Sequence, residues 1–150
     1  MRYVRLVLFG CLSVGVLIFV GRLRLFSFSS NDSASHVISA IDYHNEAAAI
    51  ENKAGDTGGV GVISSTDWKT IYRYDEKALD EAQKADISDM NRYYPGFGDH
   101  FKNEFIEGMR IIIKNANNPQ HISEFIRGQV LLDRFGDWYE ANESAMRSRK

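Results

Sequence analysis

Residues 104–132 read EFIEGMRIIIKNANNPQHISEFIRGQVLL, and this stretch decides the fold. Within it, Glu104-Phe105-Ile106-Glu107-Gly108 and Glu124-Phe125-Ile126-Arg127-Gly128 agree at four of five positions. An apolar triplet follows each copy: Ile111-Ile112-Ile113 and Val130-Leu131-Leu132. A period of 20 residues is too short for a two-helix repeat unit and matches one helix plus its turn. With the turn at Asn117-Asn118, Gly108 lies ten residues before Asn118 and Gly128 ten after it. The two glycines then face each other across an antiparallel hairpin. Glycine inside a helix costs about 1 kcal/mol relative to alanine. Two at one level therefore predict helix axes closer than the usual separation of about 8–10 Å. The plainer reading is coincidence in a chain rich in Phe and Ile.

Working outward, one arm of the hairpin is a helix from about Asp99 to Asn115, with Phe101, Phe105, Met109, Ile112 and Ile113 on one side. The other follows an Asn118 cap with Pro119 in the first turn and runs to about Ala145. Its predicted inward residues are Ile122, Phe125, Leu132, Phe135, Trp138 and Tyr139. Upstream, residues 36–54 form a helix marked by Val37, Ile41, Ala48 and Ile50, favoured by three consecutive alanines and stopped by Gly55. A glycine-rich loop follows, GDTGGVGVISS at 55–65, in which Val60, Val62 and Ile63 have room for one short extended segment. Thr66 is expected to cap the next helical region. That region carries Trp68, Ile71, Tyr72, Leu79, Ala82, Met90 and Tyr93 at imperfect helical spacing. Asp86 falls on this stripe, so a break is expected near Ser88. Tyr94-Pro95-Gly96 ends the region, because proline lacks the donor and restricts its predecessor. No segment reads as a regular sheet. The expected fold is all-α: one N-terminal transmembrane helix, then a small helical bundle ending in the antiparallel hairpin.

The transmembrane element is residues 6–21, LVLFGCLSVGVLIFVG, sixteen positions without a charge. Arg2 and Arg5 precede it, and Arg22 and Arg24 follow. Three readings compete. A cleaved signal peptide needs a small-residue site close behind the apolar run, and the nearest, Ser33-Ala34-Ser35, lies beyond two arginines. A lipoprotein reading through Leu8-Phe9-Gly10-Cys11 leaves most of the apolar run after the cysteine. An uncleaved anchor fits best. The run is short of the roughly 20 residues that span a bilayer, but Arg5 and Arg22 can snorkel to the interfaces. The segments are then an anchor at 1–26, a polar linker at 27–35, SFSSNDSAS, and an acidic helical domain at 36–150. Arg2, Arg5 and the α-amine weigh narrowly toward a cytoplasmic N-terminus, which puts the domain outside the cytoplasm, in the periplasm of a Gram-negative host. Cys11 and Gly15 form one small-xxx-small pair, a pattern that pairs helices and is also common by chance.

The chain carries 18 Lys and Arg against 20 Asp and Glu. Four of the arginines flank the apolar run and no acid precedes Asp32, so the remainder holds 14 basic and 20 acidic residues, a net −6. Such a domain repels phosphate backbones and argues against a nucleic-acid partner. The four-residue basic end, Arg147-Ser148-Arg149-Lys150, reads as a frayed tail. The single cysteine, Cys11, leaves the domain with neither a disulfide nor a thiolate ligand.

Catalytic and metal motifs are thin, and no catalytic residue is assigned. Asp56-Thr57-Gly58 matches the core of an aspartic-protease motif, but there is one copy, in a helical setting. The same loop lacks the Gly-Lys-Ser/Thr ending of a phosphate loop. No Glu-x-x-His pair, metal cage or Gly-x-Ser-x-Gly elbow occurs. His44-x-Glu46 and His121-x-x-Glu124 are the nearest arrangements, and His121 and Asp99-His100 read as helix-start residues. No cofactor is expected. Asp75, Glu76, Asp80, Glu81, Asp86 and Asp89 read as a solvated acidic face, or else as a dock for a basic partner. Tyr93-Tyr94-Pro95-Gly96-Phe97-Gly98 reads as an aromatic turn packed over a bundle end, with a binding surface as the alternative. Asn31-Asp32-Ser33 and Asn142-Glu143-Ser144 are glycosylation sequons that matter only in a eukaryotic lumen.

The resulting expectation is a single-pass, membrane-anchored binding protein, an accessory subunit or regulator or inhibitor of an envelope protein complex, touching lipid through its N-terminal helix and a protein through its domain. The runner-up is a small envelope hydrolase around Asp99, His100 and the glycine loop, supported only by convergence of Asp56, His100 or His121. A third possibility is a secreted helical protein released by cleavage.

Overall fold

The computed structural model describes residues 32–55, 63–116 and 121–148. The described residues form α1 (Asp32–Gly55), α2 (Ser65–Lys84), α3 (Ile87–Tyr93), the single turn α4 (Phe97–His100), a π-helical segment (Phe101–Ile106), α5 (Glu107–Asn115) and α6 (Ile122–Ser148). No strand occurs among them, so the all-α expectation holds. Helices α1 and α2 run antiparallel, as the contacts His36–Glu81 and His44–Asp75 require. Helices α5 and α6 form the second antiparallel pair. The core lies between the pairs, built on Val37, Ala78, Phe101, Phe105, Met109 and Phe135.

The hairpin glycines meet as their spacing predicts. A Cβ added to Gly108 would lie 2.9 Å from the Gly128 carbonyl oxygen, and one added to Gly128 would lie 3.0 Å from that of Gly108. The main chains therefore touch, with Leu132 packed beside Gly108, and Ile111 and Ile112 beside Gly128. Either glycine gives up helix propensity to allow this approach.

The π-helical segment has a visible cause. Phe97, Phe101, Phe105 and Met109 recur every fourth residue, and all four are buried. In an α-helix each step of four overshoots a full turn by about 40°, so three steps drift about 120° around the axis. A wider π turn, bonding to the fifth residue, removes much of that drift. The rings consequently line up. Phe97 and Phe101 stack at 6.2 Å, and Phe101 and Phe105 at 5.0 Å with planes only 8° apart. Phe135 of α6 meets all three edge-on. Such pairs contribute about 0.5–1.5 kcal/mol each beyond the area they bury.

Several boundaries differ from expectation. Helix α1 begins at Asp32, so the end of the segment read as linker is helical. Its Ala34 is buried, and Ser33 Oγ accepts from the Asp86 N–H at 3.0 Å. Asp and Ser are helix-start residues as much as linker residues, which explains the misreading. Ser64, not Thr66, caps α2: its Oγ accepts from the Asp67 N–H at 3.0 Å. The break between α2 and α3 falls at Ala85-Asp86 rather than near Ser88, because Asp86 is the N-cap of α3 and accepts from the Asp89 N–H at 3.1 Å. Helix α6 continues to Ser148, past Ala145. Ile122 and Tyr93 are exposed instead of inward. Ile122 is set off by about 80–140° around α6 from Leu132, Phe135 and Tyr139, which belong to the core.

Among the described residues no helix is long and apolar enough to cross a membrane. The segments read as anchor (1–26, span 6–21) and as the Asp56-Thr57-Gly58 loop lie outside the described residues, as does the Asn118-Pro119 turn.

The Gly108–Gly128 contact reverses the usual effect of a helix glycine. Gly108→Ala or Gly128→Ala is expected to destabilise the domain by about 1–3 kcal/mol through overpacking, where an open helix site would gain up to about 1 kcal/mol. Urea denaturation of the two variants checks the sign.

Candidate functional site

Three places concentrate polar chemistry or unpartnered surface. The first is the seam between α1 and α2. His36 Nδ1 lies 2.7 Å from Glu81 Oε2, and Lys84 bridges Asp80 and Glu81 at 2.8 and 2.7 Å. Deeper in, His44 Nδ1 lies 3.5 Å from Asp75 Oδ1, and the His44 ring sits edge-on to Phe105 at 5.8 Å. Asp75 is only 6% exposed, so the expected solvated acidic face fails at this residue. The reason was present in the spacing: Ile71, Asp75, Ala78 and Ala82 follow the 4-3-4 pattern of a buried stripe, and all four are buried. Glu76, Asp80 and Asp86 are exposed as expected.

Glu51 completes the seam two turns further along α1 from His44. Desolvation of its carboxyl and, secondarily, the charge of Asp75 push its pKa up to about 7, while His44 acts in the opposite direction. Asn45 is 4% exposed, and among the described residues no acceptor meets its buried Nδ2 or that of Asn52. At the rim, Tyr43 and Tyr74 stack at 6.3 Å under Lys77, whose Nζ is 5.2 Å from the Tyr43 centroid. This seam holds protons and charge. Among the described residues no three His, Cys, Asp or Glu side chains gather as a metal site.

The second place is the aromatic end. His100 stacks on Trp138 at 4.4 Å, and its Nδ1 lies 2.8 Å from Glu104 Oε2. Asn91 holds the turn, donating to Asp99 Oδ1 at 3.1 Å and accepting from the Gly98 N–H at 2.8 Å. Tyr94 meets Trp138 edge-on, and its hydroxyl donates to Asn142 Oδ1 at 3.1 Å. Gly96 adopts φ +87°, the left-handed conformation the turn requires. The aromatic turn thus packs over the bundle end, as its plainer reading predicted. His121 is elsewhere: its Nδ1 lies 3.0 Å from Oδ1 of Asn115, the last residue of α5. Fifteen residues of helix separate His100 from Asn115, roughly 20 Å. The structure does not bring His100 and His121 together, and Asp56 lies outside the described residues.

The third place is the outer side of α6. Ile122, Ile126 and Val130 are 51%, 47% and 39% exposed. Their spacing of four residues puts them on one strip of the helix surface. Asp133, Asp137 and Glu140 continue that strip toward the C-terminus. Reading Ile122 as inward hid this row, although Ile126 and Val130 stand opposite Phe135 on a helical wheel.

Compared with known protein families, with characterised proteins and with solved structures, the chain matches none.

The seam makes stability depend on pH in a defined direction. The folded pKa of Glu51 is raised above its unfolded value near 4.5, so its contribution is fully present below pH 4.5 and is lost as pH rises through about 7. The loss is on the order of 2 kcal/mol after allowance for partial exposure of the residue. Glu51→Gln, which carries no charge, is expected to match the wild type at pH 4 and to exceed it at pH 8. Urea midpoints for the two proteins across that range check this.

Proposed function

We propose that the chain is a membrane-held binding protein, an accessory subunit or regulator of an envelope protein complex. In this reading residues 6–21 anchor it, Arg2, Arg5 and the α-amine keep the N-terminus in the cytoplasm, and the acidic helical domain faces the extracytoplasmic side. The observation that carries the binding role is the row Ile122, Ile126 and Val130 on the outside of α6. Scattered exposed aliphatics are ordinary, whereas three in register on one helix strip form a surface that water covers poorly and a partner covers well. The net −6 outside the arginine-flanked leader supports a protein partner over a nucleic acid.

Two measurements on the full chain test this reading. The wild type is expected to stay in the membrane pellet through alkaline carbonate extraction, while a chain starting at residue 27 is expected in the supernatant. A photo-crosslinking amino acid at position 126 is expected to give one discrete heterologous adduct in native membranes, weakened when Ile122 and Val130 become Asp. A soluble full chain overturns the anchor; no adduct at 126 overturns the binding role.

A further inference from the structure

We propose that the outer strip of α6 docks an amphipathic helix of a partner protein, one that presents aliphatic side chains followed by basic ones. The proposal rests on the binding-protein reading and names the chemistry of its partner. Six side chains define the strip: Ile122, Ile126, Val130, Asp133, Asp137 and Glu140. At about 100° per residue they fall within roughly 80° of the helix circumference and span about 27 Å of its length. The first three are exposed aliphatics. The last three are carboxylates, and among the described residues no Lys or Arg forms an ion pair with any of them. The strip therefore changes along its length from apolar to negatively charged.

Both halves are unfavourable as they stand. The aliphatic half keeps apolar surface in water. In the acidic half, Asp133 and Asp137 stand four residues apart, a spacing at which like charges repel. Partial burial, then the charge of Asp137, raises the pKa of Asp133, with His44 the opposing influence. A partner helix with aliphatics at the matching spacing and lysines or arginines beyond them removes both defects at once, as an apolar anchor with complementary charge does at helix-in-groove interfaces.

A second copy of this chain fits the strip less well. In a parallel pair each carboxylate faces its own copy. In an antiparallel pair centred on Ile126, Ile122 meets Val130 of the other copy, but only about 12 Å of each helix is matched, and Asp133 falls beyond the contact. A partner helix covers the whole strip.

The test uses the full chain in lipid nanodiscs and two synthetic helical peptides. Both carry leucines four residues apart; one continues with lysines at the positions facing Asp133, Asp137 and Glu140, the other with glutamates. Fluorescence anisotropy is expected to show the lysine peptide binding at least about tenfold more tightly at low salt, with the gap closing near 0.5 M salt. Ile126→Asp is expected to abolish binding of the lysine peptide. Asp137→Lys is expected to erase the preference between the peptides while leaving the helical circular dichroism unchanged. Equal binding of the two peptides, no binding of either, or a sedimentation mass that doubles and reverts in the Ile126→Asp variant each overturns the proposal. A heterologous crosslink from position 126 without the lysine preference overturns the partner chemistry alone. Absence of both overturns the binding-protein reading as well.

Discussion

The main-chain contact between Gly108 and Gly128 sets the spacing on which the other packing depends. With both carbonyl oxygens about 3 Å from where the opposing Cβ would stand, α5 and α6 lie close enough for Leu132 to fill the space beside Gly108. The same proximity lets Phe135 reach the stacked rings of Phe97, Phe101 and Phe105 edge-on. A pair of helices held apart by ordinary side chains would leave those rings partly uncovered. Losing ring contacts in a close-packed interior forfeits dispersion energy that little else replaces.

The two helix pairs are held by different means. Helices α5 and α6 meet mainly through the glycine backbones and the aliphatic side chains of Ile111, Ile112 and Leu132. Helices α1 and α2 meet through His36–Glu81, His44–Asp75 and the desolvated carboxyl of Glu51. Buried polar contacts add little net stability against an apolar alternative, yet they are costly to disrupt one at a time. The bundle thus joins a mainly apolar pair to a polar one that holds the desolvated Glu51, and His44 sits at their junction against Phe105.

The hairpin was legible because its evidence was local and repeated: two glycines at equal distance from one turn. The buried faces of α1 and α2 were legible from period, with Val37, Ile41, Ala48, Ile71 and Ala82 buried as expected. Polar residues with two meanings hid the rest. Asp86 on an apolar stripe was a cap, Asp75 on the same stripe was truly buried, and composition alone does not separate them. The exposed row on α6 was obscured for the opposite reason. Ile122 is as apolar as Phe125, and only the position of α5 decides which faces inward. The π-helical segment left a clear signal, the strict fourfold recurrence of Phe97, Phe101, Phe105 and Met109, which an expectation of α-helical drift passes over.

That recurrence limits how the chain can change length. The π-helical segment holds one residue more than an α-helix would need to cover the same turn. Deleting one residue between Phe101 and Phe105 would turn the wide turn into an ordinary α turn and leave Gly108 in phase with Gly128, but it would break the fourfold recurrence that stacks the two rings. Inserting one would turn Gly108 by about 100° away from Gly128. Between the aromatic turn and the glycine crossing, substitutions can be absorbed side chain by side chain, but insertions and deletions cannot. A change of length is therefore expected to be tolerated outside this stretch and not within it.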